Sequence, residues 1–135
     1  MNLPRIFLLS AISACGLLLS SCAGMGGGKA PQPGEVDHCV FVWLKHKGSA
    51  QDRAKLEDAC HTLAQIPGVI SVSTGDTLVS KRHVVDSSFD VGVVVRFESA
   101  AAMEAYLKHP THVKLAKEVL YPMTKKLEVH DFTVR

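Results

Sequence analysis

The chain has little charge imbalance: 15 Lys and Arg stand against 13 Asp and Glu in 135 residues, a formal net charge of +2. Its basic residues are also scattered. A nucleic-acid surface needs a basic stripe or patch to neutralise phosphates, so that class of partner is set aside. A permanent membrane span is missing. The longest apolar stretch, residues 6–19, is broken by Ser10 and Ser13 and falls short of the ~20 apolar residues that cross a bilayer. No self-similarity at solenoid periods is present, which removes repeat architectures. Metal-ligand spacing is lacking too. His109 and His112 lie three apart, but neither Asp90 nor His83 completes a set with convincing spacing. No metal or other cofactor is expected.

What the first third does contain is an export signal. Arg5 supplies a positive start, residues 6–19 an apolar segment of signal-peptide length, and a small polar flank follows. Leu19-Ser20-Ser21-Cys22 resembles a lipobox, which implies cleavage before Cys22 and acylation of that cysteine. A competing site at Ile12-Ser13-Ala14-Cys15 would leave a very short apolar segment. Two or three acyl chains hold a protein far more firmly than one. Ala23, where an Asp is absent, fits outer-membrane sorting. The expectation is a bacterial envelope protein held to the membrane through Cys22 and facing the periplasm. Residues 1–21 are read as signal, 22–35 as the lipidated Cys and a tether, and 36–135 as the folded domain. The tether reads AGMGGGKAPQPGE after Cys22. Its Gly and Pro content makes it a linker that could extend about 40 Å. Loss of Arg5 with the signal leaves 14 basic and 13 acidic residues.

From Val36 the composition changes. HCVFVWL over residues 38–44 is β-branched and aromatic and reads as a strand buried on both faces. The lone Trp43 falls here, where core packing explains it. Ser49 with Asp52 resembles a capping box. Leu56, Cys60, Leu63 and Ile66 then give a helical stripe, which Pro67-Gly68 stops. Residues 69–79 read as a second strand with a bend at Gly75-Asp76, and 81–88 as a polar loop. Residues 89–97 read as a third strand, with Phe89, Val91, Val93, Val95 and Phe97 on one face. Ser99 can cap a helix carrying Met103, Tyr106 and Leu107. Pro110 interrupts it, residues 111–120 restart it, and Pro122 ends it. Residues 127–134 form a last strand.

The order β-α-β-β-α-β predicts an α+β, ferredoxin-like fold: a four-stranded antiparallel sheet with helices on one face. Strands apolar on both faces then need a cover for the other face. A second copy of the sheet is the simplest cover, so a homodimer closing into an α/β barrel is expected. Cys39 and Cys60 remain in the domain, either paired in the oxidising envelope or as two buried small hydrophobes.

The segments HCVFVWLK, IPGV, DVGVVVRFES, AYLKHPTH and VHDF resemble the stress-responsive A/B barrel domain from Val36 to Phe132, essentially the whole mature domain, with AYLKHPTH the most specific piece. The resemblance implies the same dimeric barrel but no single activity. Members include plant stress proteins without an assigned reaction and a plant polyketide cyclase that makes olivetolic acid. Carried over by motif, that cyclase's functional residues correspond to His38, Tyr106 and His112. A further His of the cyclase is Val91 here, which changes the polarity of the pocket, so the substrate does not transfer. The same barrel architecture hosts haem-degrading and quinone-forming monooxygenases, a minor alternative.

A His and a Tyr facing one cavity can move protons near neutral pH. His112 would be the base, Tyr106 the donor to a developing enolate oxygen, and His38 an orienter or second polar contact. Each also has a bland reading. His38 could bond a backbone carbonyl, Tyr106 could be core, and the HPTH turn could use His109 and His112 for local hydrogen bonds. Three functions remain open: a membrane-tethered dimeric barrel that binds a small apolar or aromatic molecule in the envelope, as part of a stress response; a polyketide-cyclase-like or isomerase-like enzyme using Tyr106 and His112; and a structural or interaction module without a ligand. The first two require a cavity between sheet and helices. The third requires that side chains fill it.

Overall fold

The computed structural model describes residues 29–135. The expected signal peptide, Cys22 and most of the tether lie outside the described residues. Four strands form one antiparallel sheet in the order β2-β3-β1-β4. They are β1 (Val36–Leu44), β2 (Val69–Asp76), β3 (Val91–Phe97) and β4 (Thr124–Thr133). Between β1 and β2 run α1 (Ala50–His61) and a 3-10 turn (Thr62–Gln65). Between β3 and β4 run α2 (Ala100–Lys108), α3 (Pro110–Leu115), a π-helical turn (Ala116–Leu120) and the short α4 (Tyr121–Met123). This is the expected ferredoxin-like order, with the helices packed on one face.

The two-residue period of the strands divides the side chains cleanly. Val36, Val42 and Leu44 of β1 meet Val91, Val93, Val95 and Phe97 of β3 beneath Leu56, Cys60, Leu63, Tyr106 and Leu115. Phe97, Leu56, Val42 and Val95 are fully buried, each contributing roughly 1.5–3 kcal/mol relative to exposure. The opposite face carries Asp37, Cys39, Phe41 and Trp43, together with Val94, Arg96 and the alternate residues of β4. Arg96 donates a bidentate pair to Asp37, 2.7 Å from Nε and 2.6 Å from the second nitrogen. No helix among the described residues covers this face, and Val94 and Phe132 are exposed.

Several expectations require correction. Trp43 is not in the core. It sits half-buried on the uncovered face, its Nε1 donating to Ser88 Oγ at 2.9 Å and Lys126 lying 4.0 Å over its ring. Phe89 precedes β3 and does not share the face of Val91. Its ring packs on Phe41 at 5.0 Å and over Gly92, where an added Cβ would stand 3.6 Å away. The second strand ends at Asp76, three residues early. The capping box is half made: Ser49 Oγ accepts from Asp52 N, but the Asp52 carboxylate accepts from His46. Pro110 starts α3, its missing N–H costing nothing in a first turn, and Pro122 lies inside α4. Gly68, at φ +84, must be glycine, because a Cβ there would stand 2.6 Å from Ala102 Cβ. Cys39 and Cys60 are both free thiols, one on the uncovered face and one in the core.

Candidate functional site

Sheet register places the first polar group. His38 on β1 is paired directly with Asp131 on β4, so their side chains share the helix-facing side. His38 Nδ1 donates to Asp131 Oδ1 at 2.6 Å. That bond fixes the ring's orientation and turns Nε2 away from Asp131. Ser99 sets the second. Its hydroxyl accepts from Ala102 N, starting α2 in the phase that turns Tyr106 inward. The Tyr106 ring is 2 % exposed and packs edge-on to Phe97 at 4.8 Å and His38 at 6.1 Å. The break at Pro110 sets the third. His109 Nδ1 accepts from Thr111 N, so His109 serves as the cap of α3. His112 then donates from Nδ1 to the Leu107 carbonyl at 3.2 Å, and its ring lies 4.4 Å from that of Tyr106.

These three residues line one cavity of about 200 Å³. Most of the rest of its wall is apolar, including Val40, Val93 and Leu127 from the sheet and Leu115 and Leu120 from the helices. The π-helical turn contributes Ala116 and Leu120 and hands the chain to Tyr121 at the rim. Such wide turns recur where a helix is reshaped around a site. Tyr121 and Val129 are both exposed, so the cavity is bordered there by surface residues.

The electrostatics favour neutral acid–base groups. Burial lowers the His112 pKa from 6.5, with nearby His38 adding to the effect and the Leu107 hydrogen bond opposing it. His112 is therefore neutral at pH 7, with Nδ1 protonated and Nε2 an acceptor. Burial, then the neighbouring Cys60, pushes the Tyr106 hydroxyl well up, so it stays a donor. Burial, then Glu57, pushes the Cys60 thiol up to about 11, which leaves it unreactive. The arrangement offers the Tyr106 hydroxyl as a donor, His112 Nε2 as an acceptor and the His38 imidazole as a further polar contact to anything in the cavity.

All three residues singled out in the sequence thus meet at one place. Asp131 was missed. Its signal was the VHDF segment, but only strand register reveals that it stands opposite His38. His109 is a helix cap, and Asp90 spends both carboxylate oxygens on the backbone amides of Leu44 and Gly48, each at 2.9 Å. No group of three or more His, Cys, Asp or Glu that could hold a metal ion occurs among the described residues.

The stress responsive A/B barrel domain matches residues 36–134. The chain belongs to this family. No curated protein matches it significantly. Among solved structures, a ferredoxin-like Dabb family protein from Mesorhizobium loti is 24% identical with a TM-score of 0.64, covering 76% of this chain and 98% of its own. A hydroxynitrile lyase from Passiflora edulis is 22% identical with a TM-score of 0.67, covering 77% of this chain and 96% of its own. A dimeric ferredoxin-like protein of unknown function from Thermobifida fusca is 19% identical with a TM-score of 0.62, covering 77% and 94%. These likenesses are of fold. In each case the match takes in nearly all of the solved chain.

Proposed function

We propose that this A/B barrel protein is a lipid-anchored homodimer whose cavity binds a small apolar or aromatic molecule bearing a hydrogen-bond acceptor. The observation that carries the reading is the cavity of about 200 Å³, predominantly apolar, with His38, Tyr106 and His112 inside it and Tyr121 at its rim. An engineered apolar cavity of about 150 Å³ takes up benzene, so one substituted ring is the matching size class. A purely structural module would be expected to fill this space with side chains. The uncovered sheet face, with exposed Val94 and Phe132, supports a second copy as its cover, in line with the dimeric Thermobifida protein. The lipobox at Cys22 supports the anchor. Among the described residues, no helix is long and apolar enough to cross a membrane.

The tautomer of His112 favours a second reading, proton transfer next to a carbonyl. A ketone oxygen hydrogen-bonded to the Tyr106 hydroxyl would present an α-carbon to the imidazoles. His112 Nε2 would take the α-proton, and Tyr106 would hold the enolate oxygen. Returning the proton to a different carbon gives isomerisation, and attack of the enolate on a second carbonyl gives ring closure. The Passiflora hydroxynitrile lyase supports this only by showing that the fold carries an enzyme.

Native mass spectrometry of gently purified residues 29–135 tests the binding reading. A dimer carrying extra mass of one-ring size is expected. A monomer would overturn the dimer, and a dimer that takes up no added acetophenone would overturn the binding. Exchange of the acetophenone methyl protons in D₂O, followed by NMR, tests the enzyme reading. His112→Ala should abolish exchange while the fold persists. If it only lowers the melting temperature, the catalytic reading fails. Labelling with a palmitate analogue, lost in Cys22→Ala, tests the anchor.

A further inference from the structure

The segment between β2 and β3 presents a surface that the cavity does not explain. Leu78, Val79 and Val84 are 85%, 81% and 77% exposed, more than any other large apolar side chain among the described residues. Lys81, Arg82 and His83 lie between them. The segment is nonetheless held in shape. Ser80 N donates to Ser87 Oγ, which donates to the Leu78 carbonyl, and Val85 N donates to Arg82 O at 3.0 Å. At its base Ser88 accepts from Trp43, and Phe89 packs on Phe41. Neither Lys81 nor Arg82 has a carboxylate partner among the described residues. The nearby Asp76 pairs with Arg53 at 3.4 Å, and the Asp86 carboxylate accepts from Ser88 N.

A pinned loop that displays three aliphatic side chains around two unneutralised cations matches the chemistry of a phospholipid interface. Aliphatic groups enter the acyl boundary while Lys and Arg meet anionic headgroups. We propose that the loop of residues 77–88 docks the domain onto an anionic lipid bilayer. The proposal rests on the lipid-anchor reading for its location, because acylation at Cys22 would keep a bilayer within reach of the domain. Gly34 and Glu35 are held to Val134 by backbone hydrogen bonds, which leaves the eleven residues 23–33 after Cys22 able to extend about 36 Å. The nine residues of β1 put roughly 30 Å between the tether's attachment and the loop's end of the sheet. The tether is therefore long enough for the loop's end to face the membrane. Docking would turn one end of the barrel to the lipid and fix the orientation of the cavity above it.

Residues 29–135 without an acyl anchor should co-sediment with vesicles of phosphatidylglycerol and phosphatidylcholine, and much less with phosphatidylcholine alone. Replacing Lys81 and Arg82 together by Gln should weaken partitioning about 30-fold. Replacing Leu78, Val79 and Val84 by Ser should weaken it about 100-fold or more with an unchanged circular dichroism spectrum. Absence of binding to anionic vesicles would overturn the proposal. So would undiminished binding by both variants. If the Ser variant instead shifts the oligomeric state in sedimentation velocity, the loop is an interface between copies and the proposal fails. Since this assay omits Cys22, its failure leaves acylation to be judged by the palmitate labelling.

Discussion

Tyr106→Phe separates the roles of ring and hydroxyl at the centre of the site. The ring is 2 % exposed and packs on Phe97 at 4.8 Å and His112 at 4.4 Å. Phe preserves those contacts. The hydroxyl finds no protein partner among the described residues, so its removal orphans nothing and frees one polar group from an apolar wall. The melting temperature should hold or rise slightly. A bound ketone, however, loses one neutral hydrogen bond worth about 0.5–1.5 kcal/mol. Acetophenone affinity, measured by calorimetry, should therefore fall roughly 2- to 12-fold. If the hydroxyl also holds a developing enolate, the rate of α-proton exchange should fall much further, by about 10²- to 10³-fold, as for loss of an oxyanion donor. Destabilisation above about 2 kcal/mol would show that the hydroxyl is structural. Unchanged affinity would show that it does not meet the ligand. Either result refutes the assignment.

Three further outcomes follow from the same geometry. The folded-state pKa of His112 lies below 6.5, so the unfolded chain binds its proton first as pH falls. Its contribution to stability is neutral above pH 6.5 and becomes a loss below it. Melting temperature should therefore decline on acidification through pH 6, and His112→Phe should flatten that decline. Asp90→Ala removes a carboxylate that is 4 % exposed and leaves the Leu44 and Gly48 amides unpaired. A loss of about 3 kcal/mol in urea unfolding is expected, and a loss under 1 kcal/mol would contradict the pairing. Gly68→Ala meets both a positive φ and a 2.6 Å contact with Ala102, so destabilisation of about 2 kcal/mol or more is expected; an unchanged midpoint would contradict the crowding.

The fold was legible because each strand carries period-two apolar residues and each helix a stop. Val91, Val93, Val95 and Phe97 declare one face of β3 in the sequence, and Pro67-Gly68 ends the first helical run where the structure does. Tyr106 and His112 lie close in sequence across one proline break, so local spacing could bring them together. Trp43 was misplaced because alternation gives two faces without saying which is covered, and Phe89 because the apolar alternation runs on in sequence before Val91, where the strand begins. The same residues would fit a strand shifted by one. Asp131 lies 93 residues from His38, and only strand register joins them. The π-helical turn at residues 116–120 left no sequence signal, since its apolar spacing also fits an ordinary helix.

Methyl NMR of the domain during an acetophenone titration tests the central claim most directly. The cavity account predicts saturable shifts at Val40, Val93, Leu115 and Leu127 on the wall, with Val94 on the opposite sheet face and Val84 in the loop unmoved. Shifts confined to Val94 or Val84, or no saturable shift at any wall methyl, would contradict it.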